Sequence, residues 1–263
     1  MDMKLAKKIA LVTGSTAGIG NAIATSLARE GAAVIVSGRT PAAVDSAVAA
    51  MKAYTKGDVS GFAGDLSVAS VAEALVRQHP IVDILVNNLG IFEVRPFEEI
   101  ADADWQRFFD VNVLSGARLA RLYLPSMRKR NWGRIIFISS ESGYHIPAEM
   151  IHYGMTKAAQ IAVARGLAET TAGTGITVNS VLPGPTRSRG VGDFVADMAA
   201  KSGRSAQTVE SEFFKSARPT SLLQRFATPE EVAAMVTYVA SPLSSATNGA
   251  ALRVDGGTIK SAF

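Results

Sequence analysis

A glycine-bearing turn held between an apolar run and an amphipathic one constrains this chain more than any other feature. Residues 9–12 form a short hydrophobic segment that passes directly into Thr13-Gly14-Ser15-Thr16-Ala17-Gly18-Ile19-Gly20. Beyond it Ile23, Leu27 and Ala28 recur at helical spacing as far as Glu30-Gly31. The pattern predicts a buried strand, a tight turn and a helix. Glycines let a backbone approach a bound group closely, and helix-opening amides point at its charge. Gly14, Ser15, Thr16, Gly18, Ile19 and Gly20 are therefore candidates for cradling a pyrophosphate, against the simpler reading of turn chemistry alone.

The same alternation continues along the chain. Strands are predicted at 33–36, 59–63, 84–86, 135–138, 176–182 and 251–254. Helical patterns fall at 42–54, at 67–77 with Ser67 as its cap, at 104–130 as one long helix, at 153–170, and at 229–240 capped by Thr228. Pro125 should bend or break the long helix near its end. Short apolar runs alternating with helices predict right-handed crossovers and a doubly wound α/β fold. We expect a seven-stranded, mostly parallel sheet with helices on both faces. Residues 187–226 lose the strand signal. Gly190, Gly192, Gly203 and Pro219 punctuate two amphipathic segments there, 194–198 and 209–214, which reads as a mobile lid over a site.

With 263 residues, 48% hydrophobic and 19% charged, and without repeats or a linker, one domain spanning 1–263 is the economical reading. The net charge of +4, from 27 basic against 23 acidic residues, weakly favours anionic ligands. The densest basic run, Arg128-Lys129-Arg130 with Arg134, reads as a solvated helix end rather than a nucleic-acid patch. Cysteine is absent, which excludes disulfides, zinc–thiolate sites and thiol nucleophiles. No signal-peptide core or membrane-spanning run is evident, so a soluble cytoplasmic protein without a membrane or metal role is expected.

Chemistry concentrates in Ser140-Glu141-Ser142-Gly143 and in Tyr153-Gly154-Met155-Thr156-Lys157. A tyrosine and a lysine four apart on a helix share a face, as a surface pair or as something more. An adjacent ammonium lowers a phenol's pKa and makes it a usable general acid or base. Ser140 can add a hydroxyl that polarises a carbonyl. Arg39, at the end of the second strand where no acid stands, points to the 2′-phosphate of NADP, although an arginine there can also stack on adenine in NAD. Asn112, inside the long helix, reads on its own as a buried residue that satisfies neighbouring backbone groups.

Taken together, these motifs resemble the short-chain dehydrogenase/reductase family in its compact single-domain branch, over about residues 7–257. The glycine loop, Asn87-Asn88-Leu89-Gly90, the Tyr-x-x-x-Lys pair and Ser140 thirteen residues earlier stand in the family's order, with Leu89 replacing the usual alanine. Ser140 is preferred over Ser139 because x-x-Gly follows it. The resemblance implies an Asn112, Ser140, Tyr153, Lys157 tetrad, with Asn112 holding a water that links Lys157 to solvent. It implies cofactor contacts from Asp65, Leu66, Asn88, Gly90 and Lys157, and from Pro183, Gly184 and Thr186 at the nicotinamide end, where Ser188 retains a hydroxyl.

The implied reaction is reversible hydride transfer between NADP(H) and a carbonyl or secondary alcohol. Enoyl reduction is disfavoured by the three-residue gap between Tyr153 and Lys157. Ser140, Ser142, His145 and Tyr153 are the substrate candidates, with Glu141, Tyr144, Glu149, His152 and Arg187 nearby. Each histidine reads as a hydrogen-bonded loop residue, and so polar a set suits a polar ketone, a sugar-like polyol or an acyl ketone. A homotetramer or homodimer through the long helices is expected. A non-catalytic nucleotide sensor is the alternative.

Overall fold

The computed structural model describes residues 1–55, 58–188, 192 and 203–262. Seven strands form one sheet in the order β3-β2-β1-β4-β5-β6-β7, and every neighbouring pair is parallel. They are β1 Ile9–Val12, β2 Ala33–Gly38, β3 Val59–Ala63, β4 Ile84–Asn87, β5 Gly133–Ile138, β6 Ile176–Pro183 and β7 Ala251–Val254. Strands β4, β5 and β6 are buried along their whole length, as expected of a sheet covered on both faces.

The helices are α1 Gly18–Arg29, α2 Pro41–Tyr54, α3 Ala69–Gln78, α4 Asp102–Phe109, α5 Ser115–Arg130, α6 Ile151–Glu169, α7 Ala206–Ser216 and α8 Pro229–Ala240. One core lies where Ile23 and Leu27 of α1, Met51 of α2 and Val232 and Val236 of α8 meet one face of the sheet. The other is built on Leu75 of α3, Leu119 and Tyr123 of α5 and Ala164 of α6. Strand order reverses between β1 and β4. Their carboxyl ends open a crevice there, the usual ligand position in such sheets.

Several local expectations are corrected. The 104–130 pattern is two helices joined by a π turn, Asp110–Leu114, and the helical stretch begins at Asp102. Pro125 does not end α5, which continues to Arg130 because Leu124 and Met127 are buried in the core on either side of it. Ser67 does not cap α3. Its hydroxyl is drawn to Asp65 Oδ1 at 2.6 Å, and Val68 takes the cap position without a side-chain bond. Thr228 does cap α8, in a reciprocal box with Glu231.

Arg134 is buried, donating to the carbonyls of Gly133, Gly175 and Ser241, and desolvation lowers its pKa to about 10. Arg128 donates to Thr170 O, and Arg130 to Val82 O and Asp83. The basic run is thus largely spent on the chain's own acceptors. Of the two segments expected in 187–226, 209–214 lies in α7, and 194–198 falls outside the described residues. No helix among the described residues is long and apolar enough to cross a membrane, and they hold no acidic or histidine cluster suited to a metal ion.

Candidate active site

The glycine turn is built as a cradle. Gly14 and Gly18 take φ of 61° and 58°, a left-handed backbone that favours glycine. A Cβ on Gly20 would collide with Asn88 Nδ2 and the Gly14 carbonyl oxygen. Helix α1 opens at Ala17 without a side-chain cap and has no acid in its first turn, so its leading amides are left for an anion. Ser15 is committed elsewhere, its hydroxyl donating to Val12 O and accepting from Ser37 N.

Beside the turn lies a pocket lined by Gly14, Thr16, Ser37, Gly38, Arg39, Gly64, Asp65, Leu66 and Leu89. It joins five residues expected to bind a dinucleotide: Gly14, Thr16, Arg39, Asp65 and Leu66. Ser37, Gly38 and Gly64 were not anticipated. Leu66 is buried and Arg39 is exposed at the pocket's edge. Glycine loop, uncapped helix start and an exposed arginine at the end of β2 together fit a phosphorylated dinucleotide.

Asn88, expected to face the adenosine, turns its side chain inward. Its Nδ2 donates to the carbonyls of Thr13 and Gly14 at 2.9 and 3.1 Å, which ties the end of β4 to the turn. The Leu89 amide is held by Thr13 Oγ1, and Gly90 follows. A Cβ on Gly90 would lie 3.5 Å from Asn112 Oδ1 and 3.6 Å from Lys157 Nζ. The segment 88–90 therefore runs from the cradle to the lysine. On the far side Pro183 ends β6, Gly184 packs too closely on Asp255 for a Cβ, and Thr186 donates to Gly184 O at 2.9 Å.

Ser140 leaves β5 in extended conformation, and its Oγ accepts from Ser142 N. Gly143 explains the following x-x-Gly: a Cβ there would stand 2.9 Å from the Lys157 carbonyl carbon, so only glycine lets this loop seat on α6. Ser139 is turned away, donating to Lys157 O at 2.8 Å. Ser140 acts on the Tyr153 phenol by drawing its pKa down, and Phe92 packs edge-on against the tyrosine ring. Lys157 Nζ stands 5.5 Å from the centroid of that ring and donates to Ile138 O at 2.9 Å and Gln160 Oε1 at 3.1 Å.

The electrostatics correct one expectation. Lys157 does not make the phenol acidic here. Burial, and then the Glu141 charge, push Tyr153 above the ordinary phenol range, while Ser140 and Arg218 pull it back only in part. Lys157 itself is lowered to about 7 by burial, so near neutrality it is only partly an ammonium. Tyr153 is accordingly a protonated acid in this state.

Asn112 sits in the π turn. Its Oδ1 accepts from Ile91 N, and its Nδ2 donates to Ile91 O and to Thr156 Oγ1. Its main-chain carbonyl accepts from Gln160 Nε2 at 2.6 Å. Gln160 Oε1 in turn accepts from Lys157 Nζ at 3.1 Å, so a side chain joins Asn112 to the lysine. Gln160 was missed, yet it lies four residues beyond Thr156 and eight beyond His152, on the buried face of α6.

His152 is no loop residue and does not face a substrate. It is fully buried on α6 against Trp105 and Phe108, and neither ring nitrogen has a partner among the described residues. Burial lowers its pKa, so the ring is neutral. His145 is exposed, whereas Ser142 is buried. Arg187 pairs with Glu210. Glu141, next to the serine, is buried and bonded to it.

Comparison with known proteins gives this geometry its family. The sequence profile described as short chain dehydrogenase matches residues 8–212. The chain belongs to that family. Its members use NAD(P), and the chain is an oxidoreductase with the family's parallel-sheet fold. It is 48% identical to the uncharacterized oxidoreductase YvrD of Bacillus subtilis over 99% of this chain and 100% of the relative. It is 34% identical to the D-beta-hydroxybutyrate dehydrogenase of Cupriavidus necator over 96% and 98%. L-sorbose reductase from Gluconobacter frateurii, solved with NADPH and L-sorbose, superimposes with a TM-score of 0.94 at 30% identity, covering 99% of this chain and 100% of that one.

Proposed function

We propose that this chain transfers hydride reversibly between NADP(H) and the carbonyl or secondary alcohol of a polar small molecule, with Ser140, Tyr153 and Lys157 at the reacting end and Asn112 behind them. The observation that carries this reading is the meeting of buried Ser140 and Lys157 with the half-buried Tyr153 in one cluster that segment 88–90 joins to the glycine cradle. The L-sorbose reductase complex supports both the cofactor and a polar substrate. Residues 14–20 and Arg39 would hold NADPH at its phosphates, and the cofactor when bound would supply the hydride.

The protein's part is proton placement. Ser140 donates to the carbonyl oxygen, and Tyr153 gives its proton to the same atom as negative charge develops there. Lys157, with a pKa of about 7, both releases and accepts a proton at neutral pH and returns one to the phenol. Gln160 and the Ile138 carbonyl fix Nζ while Asn112 anchors Gln160. In the oxidative direction each transfer reverses. Arg218 reaching the Ser140 loop supports the reading of the described part of 187–226 as a cover over the substrate side.

The test is a panel of polar ketones and polyols assayed with both cofactors at 340 nm. NADPH-dependent turnover on at least one supports the reading. Tight NADPH binding without turnover on any would leave the sensor. We also infer a homotetramer or homodimer through α5 and α6, because Ala158, Ala159, Ala162 and Gly166 give α6 a small-residue surface. Light scattering that returns a monomer at micromolar concentration removes that assignment.

A further inference from the structure

Glu141 occupies a position the reaction does not require. It is 4% exposed, follows the catalytic serine directly, and accepts the Ser140 Oγ proton at Oε2. Its other oxygen accepts from Arg218 Nε at 3.2 Å, in an ion pair whose side chains are 5% and 11% exposed. Arg218 lies just past α7, and its Nη1 is fixed by the Ala217 carbonyl, with Glu149 3.6 Å away. The carboxylate is thus clamped between the catalytic loop and the cover, and its charge reaches the Tyr153 phenol.

This creates a competition. A serine hydroxyl has one proton to donate. Ser140 spends it on an ionised carboxylate, a stronger acceptor than a neutral ketone oxygen. A simple ketone must therefore win the proton from Glu141 and leave a buried carboxylate short of a donor. A ketone bearing a hydroxyl on the neighbouring carbon has no such difficulty. Its hydroxyl donates to Glu141 in place of Ser140, and the freed serine proton turns to the carbonyl oxygen.

Resting on the carbonyl-reductase reading above, we propose that Glu141, held by Arg218, is a specificity-determining residue that selects α-hydroxy ketones in reduction and vicinal diols in oxidation. The exchange of hydrogen bonds leaves the chemistry unchanged: the carbonyl carbon gains hydride from NADPH, the oxygen gains the Tyr153 proton, and the products are the diol and NADP⁺.

The experiment compares hydroxyacetone with fluoroacetone, which is similar in size and electron-withdrawing but has no proton to donate. Wild type is expected to show kcat/KM at least tenfold higher for hydroxyacetone. In Glu141→Gln, whose folding is checked by NADPH affinity, that ratio should collapse toward one, with the loss falling on hydroxyacetone. Equal use of the two ketones by wild type, or an unchanged ratio in a folded variant, overturns the selection while the reductase reading stands. Reduction of neither ketone, nor of the reactive 2,3-butanedione, overturns both. The wild-type ratio decides even where the variant does not fold.

Discussion

Replacing Gln160 with leucine tests the buried link behind the catalytic lysine. The side chain is 1% exposed, and it spends Nε2 on the Asn112 carbonyl at 2.6 Å and Oε1 on Lys157 Nζ at 3.1 Å. Leucine fills a similar volume and satisfies neither partner. An orphaned buried carbonyl costs about 1–3 kcal/mol, and a lost hydrogen bond to a charged group about 1.5–3 kcal/mol. The sum, roughly 2.5–6 kcal/mol, should lower Tm by about 5–24 °C in a chain of this size.

The kinetic consequence has a definite sign. Oε1 favours the ammonium, so its removal moves Lys157 further below about 7. The lysine limb of the pH–rate profile should shift to lower pH by roughly one unit, since one unit corresponds to about 1.4 kcal/mol. Gln160→Glu places a carboxylate beside Nζ and should shift the same limb upward. The assays are thermal melting of the cofactor-free protein and kcat/KM for NADPH-dependent reduction from pH 5 to 9. A Gln160→Leu variant that melts within a degree of wild type with an unmoved profile would refute the linkage. A shift of the same sign in both variants would do so too.

Two further outcomes follow from the charges. Arg39→Ala should weaken NADPH by about 10- to 100-fold, the worth of a charge-assisted contact to phosphate, with NADH little changed; equal losses by fluorescence titration would show that Arg39 does not read the 2′-phosphate. Lys157 titrates at about 7 when folded and near ~10.4 when unfolded, so between those values the unfolded chain binds more protons and stability rises with pH, by up to about 5 kcal/mol. Tyr153 is raised above the ordinary ~10, so beyond that pH the folded chain holds the extra proton and stability falls again. Urea titrations should place the maximum near ~10, and Lys157→Met should remove the rising limb; a wild-type curve flat from pH 7 to 10 would contradict the burial argument.

The fold was legible because a covered parallel sheet needs continuous apolar runs closed by turn residues. Ile84, Leu85 and Val86 ending in Asn87-Asn88 announce such a strand without any partner in view. The π turn was not legible. No residue in Asp110–Leu114 demands it, and it coincides with distant partners, Ile91 and Gln160, bonded to Asn112. Pro125 misled because local propensity was outweighed by packing of Leu124 and Met127. The positions of Ser140, Tyr153 and Lys157 could be read from spacing. Their electrostatics could not, because the depth of burial decides whether the phenol is acidic, and spacing carries no depth. Gln160 escaped for a related reason, as did the burial of Glu141, which was expected only to lie near the substrate. Glutamate and glutamine read as surface residues until the fold closes over them.

The account turns on Tyr153 as the proton donor to a carbonyl beside bound NADPH. Single-turnover reduction of the best ketone by Tyr153→Phe, with NADPH affinity measured on the same sample, tests this most directly. A rate lowered by at least about 100-fold with affinity within a few-fold of wild type is the predicted result. A variant that keeps both its affinity and its rate would contradict it.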